Sequence, residues 1–347
     1  MSEHQQPVRD LSDTAARLLA ALADHRLLTV DQLRVLCGWR SDTGRYVSRQ
    51  WISDQLNGLK ELGYVRAGRQ RVGRGKVWSV TKQGAAAAEL DDGAADRRIV
   101  VLRSSQIHAR TQAHTLAVNQ VGVAFTRWAR QQQGDACAWT NELAHKVLEG
   151  AAPSKGLLRP DAYLRVDCQL EPGHWVFLSA FVELDRDSKT VQQLGEQLRR
   201  YVLFKRFTPR GAQAPAWQTF YGQFPTVLVV LDSRQRQRPG ESVDAFGART
   251  RTQLEERLDA LSAFCDADPM LHEALDIDTD PGSAAEPELR VRCCLLADLE
   301  QRGPYEPIFV DPATGERSNL LGLKPGGAGA SEAGDTDDWT VGDEMAS

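Results

Sequence analysis

Residues 159–201 read RPDAYLRVDCQLEPGHWVFLSAFVELDRDSKTVQQLGEQLRRY. Asp161–Val166 is strand-like, Glu171-Pro172-Gly173 is a turn, and Trp175–Leu184 is a strongly apolar strand. Counted from Pro172, Asp161 lies eleven residues before and Glu183 eleven after. An antiparallel hairpin centred there makes the two carboxylates approximate cross-strand partners on one side of the sheet. Asp185, two residues beyond Glu183, shares that face if the strand continues, and a bulge or longer turn shifts the register. Past Ser188, a candidate N-cap, the pattern predicts a helix to about Phe207. Its buried side is Leu194, Leu198, Tyr201, Val202 and Phe204, and Arg199, Arg200, Lys205 and Arg206 make part of it basic.

Carboxylates gathered at one sheet end repel one another, and a hard divalent cation such as Mg²⁺ or Mn²⁺, which takes oxygen ligands, relieves that repulsion. Asp161, Glu183 and Asp185 are therefore candidate metal ligands. On a phosphate ester such a metal activates water and stabilises developing charge. Equally open on spacing alone is a solvated strand end whose acids pair with Arg159, Arg186 or Lys189.

Around this segment the chain alternates helical and strand-like patterns over residues 107–311, the order of an α/β domain. Ile107–Gln133 reads as one long helix with His114, Val118, Val121, Phe125 and Trp128 on one face, so His114 reads as a core histidine. Pro225–Leu231 is a buried strand by composition, Thr250–Ala267 an amphipathic helix, and Val291–Leu296 a final strand. The vicinal Cys293 and Cys294 read as core filling.

The first 95 residues form a separate, N-terminal unit. Ser12 or Asp13 caps a helix running to about Asp24, and Thr29 with Gln32 is a capping box for a short helix over Val30–Leu36. Gly38–Gly44 is a turn, and a third helix covers about Arg45–Leu62, with Gly63 where a C-cap glycine belongs. Strands Tyr64–Ala67 and Val77–Val80 flank a Gly- and Arg-rich turn. Three helices followed by a basic hairpin is the order of a winged helix, whose helix reads base edges while its hairpin lies on phosphates. The candidate double-stranded DNA contacts are Arg45, Ser48, Arg49, Ser53 and Asn57 on the third helix and Arg69, Arg71, Arg74 and Lys76 in the hairpin. A solvated hairpin on a protein-binding wing is the alternative. Gly68–Lys76 is not a phosphate loop, because Gln70 and Val77 stand where that loop needs Gly and Ser or Thr.

The 347 residues carry a net charge of −5, but residues 325–347 hold six acids and no Lys or Arg; without those six the remainder stands at +1. Val65–Lys82 has six cations and no acid, the footprint of an anion-binding surface. Residues 324–347, rich in Gly, Ala and acid, read as a disordered acidic tail. No apolar run approaches the length of a membrane span, the N-terminus lacks a secretory pattern, and six scattered cysteines form no Cys-x-x-Cys. A cytoplasmic protein without membrane contact is the expectation.

The leading winged helix, then Arg159-Pro160-Asp161-Ala162, Val182-Glu183-Leu184-Asp185-Arg186 and a helix ending Leu198-Arg199-Arg200-Tyr201, resembles the replication-relaxation family of bacterial plasmids and integrative elements. The resemblance covers roughly residues 10–235. It implies a second domain of the PD-(D/E)XK, restriction-endonuclease-like α/β fold with a mixed sheet. It also puts Asp161 and Glu183 in the metal-ligand places. The lysine of the nuclease motif belongs two residues after the Glu, where Asp185 stands; variants of the fold move it to the following helix, where Lys189 serves, and Asp161, Glu183, Asp185 and Lys189 are then the candidate catalytic set. Gln197 occupies a place where the family pattern often has Lys, and Glu142 is a further candidate acid. The resemblance implies a DNA-processing protein of a mobile element, with replication or transfer proteins as partners. The alternative is a non-enzymatic DNA-binding regulator whose second domain is degenerate and serves DNA binding or dimerisation. Six tyrosines are present, but no His-x-His cluster accompanies them, which disfavours a tyrosine relaxase.

Overall fold

A computed structural model describes residues 11–70, 75–92, 101, 109–131, 136–141, 143–150, 152, 156–171, 174–235, 237–275 and 287–320. The acidic tail, Arg71, Arg74 and Glu142 lie outside the described residues, as does most of the connector between the two units.

The N-terminal unit runs α1 (Asp13–His25), β1 (Leu28–Thr29), α2 (Val30–Cys37), β2 (Trp39–Arg40), β3 (Arg45–Tyr46), α3 (Arg49–Glu61), β4 (Val65–Arg69), β5 (Lys76–Val80) and α4 (Lys82–Asp92). Local chemistry sets the helix starts. The Ser12 and Ser48 side chains accept from the N–H groups of Ala15 and Trp51, and Thr29 and Gln32 form a reciprocal capping box. Strands β1, β5 and β4 pair antiparallel in that order, a unit compatible with a winged helix. Leu18, Leu22, Leu28, Leu33, Ile52, Leu56 and Trp78 fill its core. Gly84 sits so close to β4 that an added Cβ would stand 1.9 Å from the Tyr64 carbonyl oxygen.

The expected third helix needs a correction. It begins at Arg49, because Ser48 is extended and caps it, and residues 39–46 form a small antiparallel hairpin of β2 and β3. Arg45 and Ser48 are therefore not on the helix.

The second unit begins with α5 (Ala109–Gln131) and continues with β6 (Ala136–Asn141), β7 (His145–Lys146), β8 (Leu157–Leu158), β9 (Ala162–Glu171) and β10 (His174–Asp185). Then come α6 (Val191–Arg206), β11 (Thr226–Leu231), α7 (Val243–Ala267), α8 (Pro269–Leu275), β12 (Val291–Leu295), α9 (Leu296–Gln301), β13 (Phe309–Val310) and β14 (Arg317–Ser318). Seven strands form one mixed sheet in the order β14-β13-β12-β11-β10-β9-β6; β10, β11 and β12 run parallel and the other pairs antiparallel. The strand period of two sorts the core into two layers. Phe181, Val227, Val229 and Leu231 pack with α6 and α7, whereas Ala180, Val182, Leu184, Leu228 and Val230 pack with α5 and α9. The fold is thus the mixed α/β class expected. Helix α7 starts seven residues before the expected Thr250, at a Ser242 cap. Among the described residues no helix is long and apolar enough to cross a membrane.

Helix α5 joins the two units. Asn119, fully buried, donates to the carbonyls of His25 (3.0 Å) and Leu27 (2.7 Å). Gln32 donates to the Leu116 carbonyl (2.9 Å), and Arg130 donates to those of Val35 and Leu36. The bonds from Asn119 and Arg130 give partners to carbonyls of the N-terminal unit, and the bond from Gln32 gives one to a carbonyl of α5.

Candidate functional site

The hairpin of β9 and β10 keeps the register expected from Pro172. Ala162 pairs with Val182 and the Asp161 N–H donates to the Val182 carbonyl (3.0 Å), which sets Asp161 opposite Glu183. A register irregularity falls beside the turn, between His174 and Trp175, and leaves the far end undisturbed.

Glu183 is 2% exposed in the middle of the sheet. Its Oε1 accepts from the Tyr201 hydroxyl (2.6 Å) and from Gln197 Nε2 (2.9 Å), and its Oε2 faces Lys189 Nζ at 3.3 Å. Gln197 and Tyr201 lie one turn apart on α6, so they reach the same strand residue together. Asp161 Oδ1 is 2.9 Å from His114 Nε2, and Oδ2 accepts from the Leu184 N–H (2.8 Å).

Electrostatics follow from this burial. Loss of water, and secondarily the Asp161 charge, pushes the Glu183 carboxyl above the usual range. Burial works against the Lys189 ammonium, but Glu183 and Asp161 outweigh it and hold its pKa up. The Tyr201 phenol is pushed well up by burial and then by Glu183, so it stays a donor.

Asp185 corrects the three-carboxylate expectation. It is fully buried; Oδ2 pairs with the Arg257 guanidinium of α7, and Oδ1 accepts from Ser188 N–H (3.1 Å), Ser188 Oγ (3.1 Å) and Lys189 N–H (3.2 Å). It thus holds the loop that carries Lys189. Among the described residues no group of three or more His, Cys, Asp and Glu side chains is arranged to hold a metal ion. Ser188 is likewise not the cap of α6; Thr190 is, in a capping box with Gln193. His114 is not a core residue but is 40% exposed and contacts Asp161. Gln197 and Tyr201 had a legible signal in their spacing of four, but nothing in the spacing named Glu183 as their target.

The candidate DNA contacts separate by position. Arg69 and Lys76 are exposed register partners at the turn end of the hairpin, and Asn57 is exposed on α3. Arg45 is exposed on β3; Arg49 pairs with Asp31 (3.1 Å), and the Ser53 hydroxyl donates back to the Arg49 carbonyl. The hairpin and the acidic pair meet on α5: Gln112 Nε2 donates to the Arg69 carbonyl (3.3 Å), two residues before His114.

Beside the acidic pair, His145 stacks on Phe204 (centroids 4.6 Å apart) and its Nε2 lies 2.9 Å from the Tyr221 hydroxyl. Burial lowers its pKa from 6.5 to about 4. Between those two values the unfolded chain binds more protons than the fold. Stability should therefore be full above pH 6.5 and decline as pH falls towards 4, by roughly 2–3 kcal/mol after allowance for solvent screening. Urea unfolding between pH 4 and 7, with His145→Phe as the comparison, checks this; the variant should lose that part of the slope.

The class these features define is a mixed-sheet α/β protein with a lysine-neutralised carboxylate pair at the end of a central hairpin, joined by one helix to an N-terminal helix-and-hairpin unit. The family model described as Replication-relaxation matches residues 19–219, more than half of the chain, and the protein belongs to the replication-relaxation family. Among solved structures, Lactococcus lactis ZitR, determined as a double mutant, is 18% identical with a TM-score of 0.20. That match spans 24% of this chain and about half, 51%, of that one. No curated protein matches the chain. Membership points to a role in plasmid replication or DNA relaxation.

Proposed function

We propose that the protein is a DNA-binding protein of a mobile element, acting in plasmid replication, relaxation or transfer. Its N-terminal unit works as a winged helix on double-stranded DNA, and its Asp161–Glu183 pair works as a metal-dependent nicking site of the PD-(D/E)XK type. The observation that carries this reading is the carboxylate pair itself: two acids opposite in register, with Lys189 3.3 Å from the buried one. The donors suit a hard divalent cation, which needs one or two carboxylates and completes its shell with water and phosphate oxygens. Asp161 Oδ1 and Glu183 Oε2 each have one protein partner and keep lone pairs for an ion. When bound, Mg²⁺ or Mn²⁺ supplies water activation and charge stabilisation. Around it Gln197 and Tyr201 orient Glu183, His114 orients Asp161, and Lys189 offsets their charge or that of a phosphate.

The second reading is a non-enzymatic DNA-binding regulator whose sheet domain serves DNA binding or dimerisation. The full engagement of Glu183 by Tyr201, Gln197 and Lys189 favours it. Gel shift against salt tests the DNA reading shared by both. Arg69 and Lys76 together should account for a salt slope of about two counterions on duplex DNA. Replacing both by Gln should flatten log Kd against log salt by that amount, and an unchanged slope counts against the hairpin as the phosphate contact. Incubation of supercoiled plasmid carrying a suitable origin with Mg²⁺ or Mn²⁺ then separates the two readings.

A further inference from the structure

Helices α6 and α7 cover the central strands on one face but leave the β9 end of that face open. Tyr163 is half-buried and Arg165 exposed, although both alternate with buried residues of the opposite layer, and Phe177, between the half-buried Val176 and Leu178, is 71% exposed. Arg165 pairs in register with Ser179, one strand-side position from Phe177, and Tyr163 pairs with Phe181. At the rim, Phe220 is 64% exposed with its ring held 5.5 Å from His145 and 6.2 Å from Tyr221. Tyr221 in turn lies 5.0 Å from Tyr163. A single surface phenylalanine is ordinarily a small cost; here Phe220 joins the Tyr221–Tyr163 surface, and Phe177 stands farther along the same sheet face, past Arg165.

We propose that this open face binds single-stranded DNA, with bases stacking on Phe177 and Phe220 and the backbone tracking past Arg165 and Arg159 to the acidic pair. Three properties select this occupant. Rings beside guanidinium groups suit any base, since every base offers a π-face, and such surfaces bind single strands without sequence preference. Arg159 and Arg165 are exposed along this strip and offer two guanidinium groups to phosphate; the acids of the same face are Asp167 and the Asp161–Glu183 pair, the latter offset by Lys189. The surface is continuous with the carboxylates, because Tyr163 and Arg159 flank Asp161 at two residues on either side. The inference rests on the proposed DNA role and adds a strand-separated substrate to it.

Fluorescence anisotropy with a labelled oligothymidylate, in EDTA so that no nicking is needed, tests it on the full chain. Phe177→Ala and Phe220→Ala should each weaken binding about tenfold, within the range for loss of one stacked base. The Trp variants should bind as wild type, and affinity for a duplex of equal length should stay within about twofold. Arg165→Gln should lower the salt slope by about 0.7, the single-strand value for one phosphate. Alanine variants that bind oligothymidylate as tightly as wild type overturn the inference. Equal losses on single strand and duplex also overturn it. So does a change of oligomeric state in sedimentation with single-strand binding intact, which would mark the face as a self-association surface. If plasmid nicking fails while the two alanine effects hold, the nuclease reading falls and the single-strand site remains.

Discussion

Glu183→Gln protein should nick supercoiled plasmid at least about 100-fold more slowly than wild type in Mg²⁺ or Mn²⁺, with duplex binding within about twofold. The substitution keeps the side-chain volume and an oxygen for the Tyr201 and Gln197 donors. It removes the negative charge that Lys189 faces and that the proposed cation would need. Charge stabilisation by a metal is worth several kcal/mol, and each 1.4 kcal/mol is a factor of ten in rate, which sets the size of the effect. Agarose-gel conversion of supercoiled to open-circular DNA reads it directly. Equal nicking by wild type and variant would sink the role of Glu183. No nicking by wild type on origin-bearing DNA with either metal leaves the regulator reading in possession.

Asp185→Ala should cost about 3–5 kcal/mol in urea unfolding at neutral pH, the largest stability effect in the second unit. Removing one partner of a buried ion pair strands the other, and Arg257 is 13% exposed. The Ser188 and Lys189 N–H groups lose their acceptor at the same time. Arg257→Leu should cost a similar amount, and the double variant should fall short of the sum by 1–3 kcal/mol because the two share one interaction. Additive losses would show that the pair does not act as a unit. The loop also sets Lys189, so Asp185→Ala should impair any reaction that depends on the lysine.

Much of the fold was legible because its signals are local. Capping at Ser12, Thr29 and Gln32 and the period-two pairing of β9 with β10 each act within a few residues, and α1, α2 and that strand pair formed where the sequence put them. The facing of Asp161 and Glu183 was legible for the same reason, since a symmetric hairpin fixes register by counting. The fate of Asp185 was not. Its face was right, but its partner Arg257 comes from a helix 72 residues away, and no period in the chain announces such a pairing. His114 failed likewise: its spacing matches the core residues of α5, yet it sits where the helix passes the sheet end, and only the packed structure reveals that edge. Ser48 was misassigned to a helix because propensity reads through a cap residue whose backbone is extended.

Helix α5 holds the Arg69 carbonyl by Gln112 and the Asp161 carboxylate by His114, two residues along the same rigid turn. A helix cannot flex over so short a span, because its hydrogen bonds tie each residue to the turn before it. Any load that tilts this end of the hairpin therefore moves the aspartate with it. The offset between the hairpin and the acids is cast into the protein, like the fixed jaws of a gauge.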